Sequence, residues 1–221
     1  DHLGLYKKNI FTLVRQLHYS TKNNNSIDMV LFVNGLPILT MELKNQLTGQ
    51  NYKHSEKQYK TDRNPREPLL KFKRCMVHFC VDNNNVSMTT KLSNNKTIFL
   101  PFNKDVVNPP VDGYRTKYLW EDVLAPDSLL DIIENFVHIS ESKEFIFNEE
   151  KESIETIVKE NLVFPRYHQL DLIRKFRVHL KKDGVGTNYL VQHATGSGKS
   201  YSIGWLSHTL TSFYKNNDDN K

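Results

Sequence analysis

Asp28, Glu42 and Lys44 are the residues of this 221-residue chain whose types and spacing first suggest chemistry. Asp28 lies near the start of one apolar run, Ser26–Val33, and Glu42-Leu43-Lys44 ends a second, Leu36–Lys44, with Asn34-Gly35 between them. Asn-Gly between two apolar runs is the strongest short hairpin signal, because both turn residues take positive φ. Such a turn folds Asp28 back toward Glu42 and Lys44. Strand alternation then puts Glu42 and Lys44 on one face, Met41 and Leu43 on the other. Two carboxylates there can hold Mg²⁺, with the Leu43 carbonyl as a further oxygen, and an adjacent Lys can position or deprotonate a water. That is the chemistry of phosphodiester hydrolysis. The competing account is a cross-strand ion pair at a strand end. Glu-x-Lys recurs at Glu141-Ser142-Lys143 and Glu149-Glu150-Lys151. Both are expected to be solvated charges, in an acidic stretch without strand alternation.

A second set belongs to phosphate binding. His193-Ala194-Thr195-Gly196-Ser197-Gly198-Lys199-Ser200 lies between an expected strand, Asn188–Gln192, and an expected helix, Lys199–Leu210. Glycines at 196 and 198 let backbone N–H groups curl around phosphate oxygens, with the positive helix end behind them. Lys199 would contact the β- and γ-phosphates of ATP, and the Ser200 hydroxyl would complete a Mg²⁺ shell. The strict pattern places Gly where His193 stands. Upstream, Gln169 in Arg166-Tyr167-His168-Gln169 is expected to read the edge of adenine. ATP hydrolysis also needs an acidic metal ligand and a water-positioning group from later strands. The chain is therefore expected to be part of something longer and to show no sustained ATPase by itself.

The elements that must position these residues follow from the pattern. Apolar residues at Phe11, Val14 and Leu17 predict a helix over Asn9–Tyr19, and a second helix is expected at Tyr52–Arg63. Strands are expected at Arg74–Val81, Val86–Leu92 and Thr97–Phe102, and helices at Ser128–Val137 and Tyr167–Lys182. The architecture is thus α/β. Its expected divisions are 1–140, an acidic connection over 141–164, and 165–221. Glu42–Arg74 carries +5 and Glu121–Glu160 carries −9, so one stretch attracts a polyanion that the other repels. Lys53, Lys57, Lys60 and Arg63 are spaced to line one flank of the Tyr52–Arg63 helix and are candidate contacts to DNA phosphates, of a kind that fixes position without reading sequence. Two cysteines, Cys75 and Cys80, are too few for a disulfide framework. The longest apolar run, Met29–Val33, is far short of a membrane span. A reducing, cytoplasmic setting is expected.

These residues resemble a known family. Ser26-Ile27-Asp28 through Glu42-Leu43-Lys44 is similar to the PD-(D/E)xK nuclease core. The run Phe32-Val33-Asn34-Gly35-Leu36-Pro37, then Gln58-Tyr59-Lys60, Val77-His78-Phe79-Cys80-Val81-Asp82, Met88-Thr89-Thr90 and Phe99-Leu100-Pro101-Phe102-Asn103, resembles the restriction (R) subunit of type I restriction-modification enzymes. Arg166–Gln169 and Gln192–Ser200 continue the likeness, and that family carries His at the 193 position. The resemblance implies a PD-(D/E)xK nuclease-like mixed sheet with flanking helices, followed by the start of a RecA-like, superfamily 2 helicase domain. It implies double-stranded DNA cleavage after ATP-driven translocation, in a complex with specificity and methylation subunits. Asp28 and Glu42 would be metal ligands, Lys44 the catalytic lysine, and Thr195–Ser200 with Gln169 the ATP site. Ile27 replaces the Pro of the motif name. RecB-like relatives carry Gln-x-x-x-Tyr on the helix after the catalytic lysine, so the resemblance implies DNA-backbone contact by Gln58 and Tyr59, although Asp62 stands where those relatives carry Tyr. Two other readings compete: a different ATP-dependent enzyme, such as a repair helicase, and a non-catalytic module that binds DNA or a partner.

Overall fold

The computed structural model describes residues 2–148, 153–184 and 186–218. Packing divides the chain into two units, Asp1–Phe164 and Pro165–Lys221.

The first unit opens with a short helix α1 (His2–Tyr6) and is built on a mixed sheet. Its strands are β1 (Phe11–His18), β2 (Ser26–Val33), β3 (Leu36–Leu43), β4 (Val77–Val81), β5 (Val86–Thr89) and β6 (Leu100–Pro101), lying side by side in chain order. All neighbours are antiparallel except β3 and β4. A parallel pair needs a crossover, and helix α2 (Tyr52–Thr61) lies within it. The β2–β3 hairpin turns at Asn34 (φ +52°) and Gly35 (φ +80°), the two positive φ values expected of Asn-Gly. Every residue of β4 is buried, as befits the interior of a sheet covered on both faces.

Two clusters hold the sheet. Ile27, Val30, Leu70 and Cys80 pack with Tyr59 of α2. Val33 and Ile38 pack with Leu129 of helix α3 (Pro126–Asn135). Both cysteines are free and buried, and burial pushes the Cys75 thiol up to about 12, which leaves it inert.

Three expectations fail here. Asn9–Tyr19 is the edge strand β1 rather than a helix. Phe11 packs with the Leu129 cluster and Leu17 with the Tyr59 cluster, so a strand serving two cores imitates the three-residue spacing of a helix. The acidic connection over 141–164 lies in a long antiparallel ribbon, β7 (His138–Asn148) and β8 (Ser153–Val163). Phe164 then returns to the core, its ring 6.0 Å from that of Phe79. Glu141-Ser142-Lys143 is exposed, as expected of solvated charge, but it sits on a paired strand. Glu149–Lys151 lies outside the described residues.

The second unit holds helices α4 (Tyr167–Asp183) and α5 (Lys199–Asp218). The third failed expectation lies between them. Asn188–Gln192 is not a strand, because among the described residues no strand pairs with it, and Leu190 is 93% exposed. Without that strand, the expected start of a RecA-like sheet has no observed counterpart. Among the described residues no helix is long and apolar enough to cross a membrane.

Candidate active site

The β2–β3 register runs through Val30↔Thr40 and Met29↔Met41, so the next positions are Asp28 and Glu42. The sheet opens there. Leu43 N–H donates to Asp28 Oδ2 (2.8 Å) in place of a ladder bond, and Gln16 Nε2 of β1 donates to Asp28 Oδ1 (2.9 Å).

Glu42 is 0% exposed. Its Oε1 accepts from Arg63 Nε (2.8 Å) and lies 2.7 Å from Arg63 Nη2. Its Oε2 is buried with no hydrogen-bond partner. Burial pushes the Glu42 carboxyl up to about 7, against the pull of Arg63 and with the help of the neighbouring Asp28 carboxyl. An orphaned carboxylate oxygen beside a second acid is costly unless a cation or proton is shared there.

Lys44 emerges on the α2 side. Its Nζ donates to Gln58 Oε1 (2.8 Å), while Ser55 Oγ donates to the Glu42 carbonyl (3.2 Å). One helix therefore grips both ends of Glu42-Leu43-Lys44. Asn51 caps that helix by accepting from Lys53 N–H (3.1 Å), which fixes where Ser55 and Gln58 fall. Among the described residues no group of three or more His, Cys, Asp or Glu could hold a metal. A divalent ion would therefore rely on the two carboxylates and main-chain oxygen. The donor set is oxygen only, which suits a hard cation.

The comparisons with known proteins bear on this unit most. Residues 5–97 match the family model described as Type I restriction enzyme R protein N terminus (HSDR_N). Over that span the chain is similar to the N terminus of type I restriction enzyme R proteins. A protein of Methanocaldococcus jannaschii, named as a type I restriction enzyme endonuclease subunit (MjaVIIIP), is 23% identical over 225 aligned residues. That alignment covers 96% of this chain and 19% of the relative, so the chain spans about a fifth of its relative's length. The family span includes Asp28, Glu42, Lys44 and all of α2; the glycine turn at 193–200 lies beyond it.

Two expected DNA contacts of the first unit are not on its surface. Tyr59 is fully buried, its hydroxyl 2.6 Å from Thr40 Oγ1, which also lies 2.7 Å from His78 Nδ1. Arg63 follows the Asp62 C-cap and turns inward, donating to Glu42 and also to the Ser26 carbonyl (2.8 Å). The cation spacing along the helix counted Arg63 with the exposed flank, but the chain has left the helix by then. Lys53 and Lys57 are exposed, and Lys60 is half-buried with its Nζ 5.7 Å from the centre of the Phe99 ring. Gln58 faces Lys44. Sequence reasoning missed Gln16, whose only signal is a polar amide inside an otherwise strand-compatible run.

In the second unit Gly196 (φ +73°) and Gly198 (φ +84°) shape an exposed turn. Lys199 Nζ donates to the carbonyls of His193 (2.9 Å) and Ala194 (3.4 Å). Thr195 and Ser200 are exposed and Ser197 is buried. Gln169 does not present its amide to a base: it is buried. Its Nε2 donates to Ser197 O (3.3 Å) and Gly198 O (3.0 Å), and its Oε1 accepts from Arg166 N–H (2.8 Å). Both amide protons are committed, so the adenine-reading role expected of it has no free donor. His168 Nε2, 3.0 Å from Ser197 O, braces the same turn.

Proposed function

We propose that the first unit is a DNA endonuclease requiring a divalent metal, the cutting part of a type I restriction enzyme R subunit. The observation that carries this reading is Glu42 Oε2, buried without a partner beside Asp28 at the end of the strand that delivers Lys44. Asp28 and Glu42 would hold Mg²⁺, with the Leu43 carbonyl as a further ligand. Bound there, the ion supplies Lewis-acid polarisation of the scissile phosphate and a more acidic water. The chain's own residues do the rest. Gln58 steers the Lys44 ammonium, which holds the attacking water or a phosphate oxygen in line. Arg63 keeps Glu42 seated while leaving Oε2 free. Lys53, Lys57 and Lys60 meet the flanking phosphates of double-stranded DNA, which orients the strand without reading sequence.

The second unit we read as the ATP-binding start of a helicase-like motor. The Gly196–Gly198 turn offers main-chain N–H groups to phosphate, Lys199 exchanges its own-loop carbonyls for the β- and γ-phosphates, and Ser200 joins the Mg²⁺ shell. Target choice would belong to the specificity and methylation subunits of the same complex.

The test is plasmid cleavage by the complete complex. Asp28→Ala, Glu42→Ala and Lys44→Ala should each lower cutting by about a hundredfold or more while ATP hydrolysis continues, the range for removal of a catalytic acid–base group. Lys199→Ala should stop ATP-driven translocation. Unchanged cutting in the first three variants would overturn the nuclease assignment.

A further inference from the structure

The register between β1 and β2 runs from Phe11↔Val33 to His18↔Ser26 with one position missing, Gln16 opposite Asp28. Gln16 has φ +50°, a left-handed conformation that interrupts a β-ladder and that residues other than Gly, Asn and Asp seldom adopt. Strain of this kind persists only where the surroundings over-determine it, and it gathers at functional sites. Here the surroundings are specific. With the backbone turned at Gln16, its Nε2 donates to Asp28 Oδ1 (2.9 Å) and its Oε1 accepts from Ser26 Oγ (2.8 Å). The Ser26 bond fixes which end of the amide faces Asp28.

Leu43 N–H holds the other Asp28 oxygen, so the carboxylate is gripped by a side chain from β1 and by main chain from β3. Each oxygen keeps a lone pair for another partner. Beside this grip lies a shallow cavity of about 290 Å³ lined by Arg15, Gln16, Asp28, Met29 and Leu43.

We infer that Gln16 is a positioning residue: the break in β1 exists to bring its amide onto Asp28 and hold that carboxylate in the orientation that shares an ion with Glu42. The inference rests on the metal-dependent reading above and adds a residue to it. Partners that orient a metal ligand change ion affinity by about 10–100-fold when removed.

The test measures Mn²⁺ binding to the intact protein by calorimetry, together with the Mg²⁺ concentration for half-maximal cutting by the complete complex. Gln16→Gly accepts the left-handed backbone and removes the side chain together with its amide. It should keep the thermal midpoint at or above that of the parent, weaken Mn²⁺ binding at least tenfold, and raise the Mg²⁺ requirement in step. Gln16→Asn tolerates the same backbone but is one methylene too short, and it should show the same loss. A merely structural role would move the melting midpoint and leave the ion dependence alone. If both variants bind Mn²⁺ within twofold of the parent while Asp28→Ala loses it, the role of Gln16 is overturned and the metal reading survives. If Asp28→Ala also binds normally, the metal reading falls and this inference with it.

Discussion

Glu42 and Lys199 are both charges set where phosphate chemistry would need them, and the molecule holds them in opposite ways. Glu42 is walled into a sheet, one oxygen bonded to Arg63 and the other left without a partner. Lys199 is exposed at the start of a helix and donates to the carbonyls of its own turn. The first site is organised by desolvation and by strands fixed over long sequence distances. The second is organised by glycine backbone and by the amide of Gln169. A buried charge must be compensated to be kept at all, whereas an exposed one can be rearranged at little cost. The consequences of mutation should therefore separate sharply between the two regions.

The widest separation is in stability. Arg63→Ala leaves the Glu42 carboxyl buried without its cation and should remove about 3–5 kcal/mol from the first unit, as broken buried pairs do. Lys199→Ala should change stability by no more than about 0.5 kcal/mol, the usual range for an exposed position. Denaturant unfolding of the intact protein reads both, and comparable losses would erase the contrast.

A smaller effect distinguishes the units by pH. His78 is fully buried against Thr40, and burial lowers it from 6.5 to about 4. The unfolded chain therefore binds a proton that the folded chain refuses. Stability from this group is present above pH 6.5 and is lost as pH falls toward 4, by about 3 kcal/mol in all. His78→Met should flatten that part of the pH–stability curve. His168 in the second unit is lowered too, by burial, but is only half-buried, and its replacement should change the curve less.

The smallest effect sharpens what holds the Gly196–Gly198 turn. Gly196 and Gly198 share a left-handed φ, but a Cβ at Gly198 would stand 2.6 Å from Gln169 Nε2, while a Cβ at Gly196 meets open space. Each Gly→Ala change should cost about 1–2 kcal/mol through backbone strain. Gly198→Ala should exceed Gly196→Ala by displacing the Gln169 amide. Hydrogen exchange of the 196–202 amides measures the difference, and equal effects would mean that Gln169 does not organise the turn.

What could be read in advance follows the same division. Asn34-Gly35 announced the hairpin because its two positive φ values are a local requirement, but counting outward from that turn sets Asp28 opposite Met41, and only the register shift between Leu31 and Phe32 brings it opposite Glu42. Tyr52–Arg63 was readable as a helix nearly to its end at Thr61. The inward turn of Arg63 was not, because it depends on a carboxylate 21 residues earlier. β1 was hidden because its half-buried residues serve two cores, and the β7–β8 ribbon because charge masked its alternation. Gln169 follows the expected motif in type and place, yet its donors go to Ser197 and Gly198 carbonyls that local pattern could not assign to it.

The central claim, that Asp28 and Glu42 together grip a divalent ion, is tested most directly by anomalous diffraction from crystals of the protein soaked in Mn²⁺. The account predicts one peak within bonding distance of Glu42 Oε2 and an Asp28 oxygen, absent in Glu42→Gln. Crystals with no peak there, and with both carboxyl groups holding only their contacts to Arg63, Gln16 and Leu43, would contradict it.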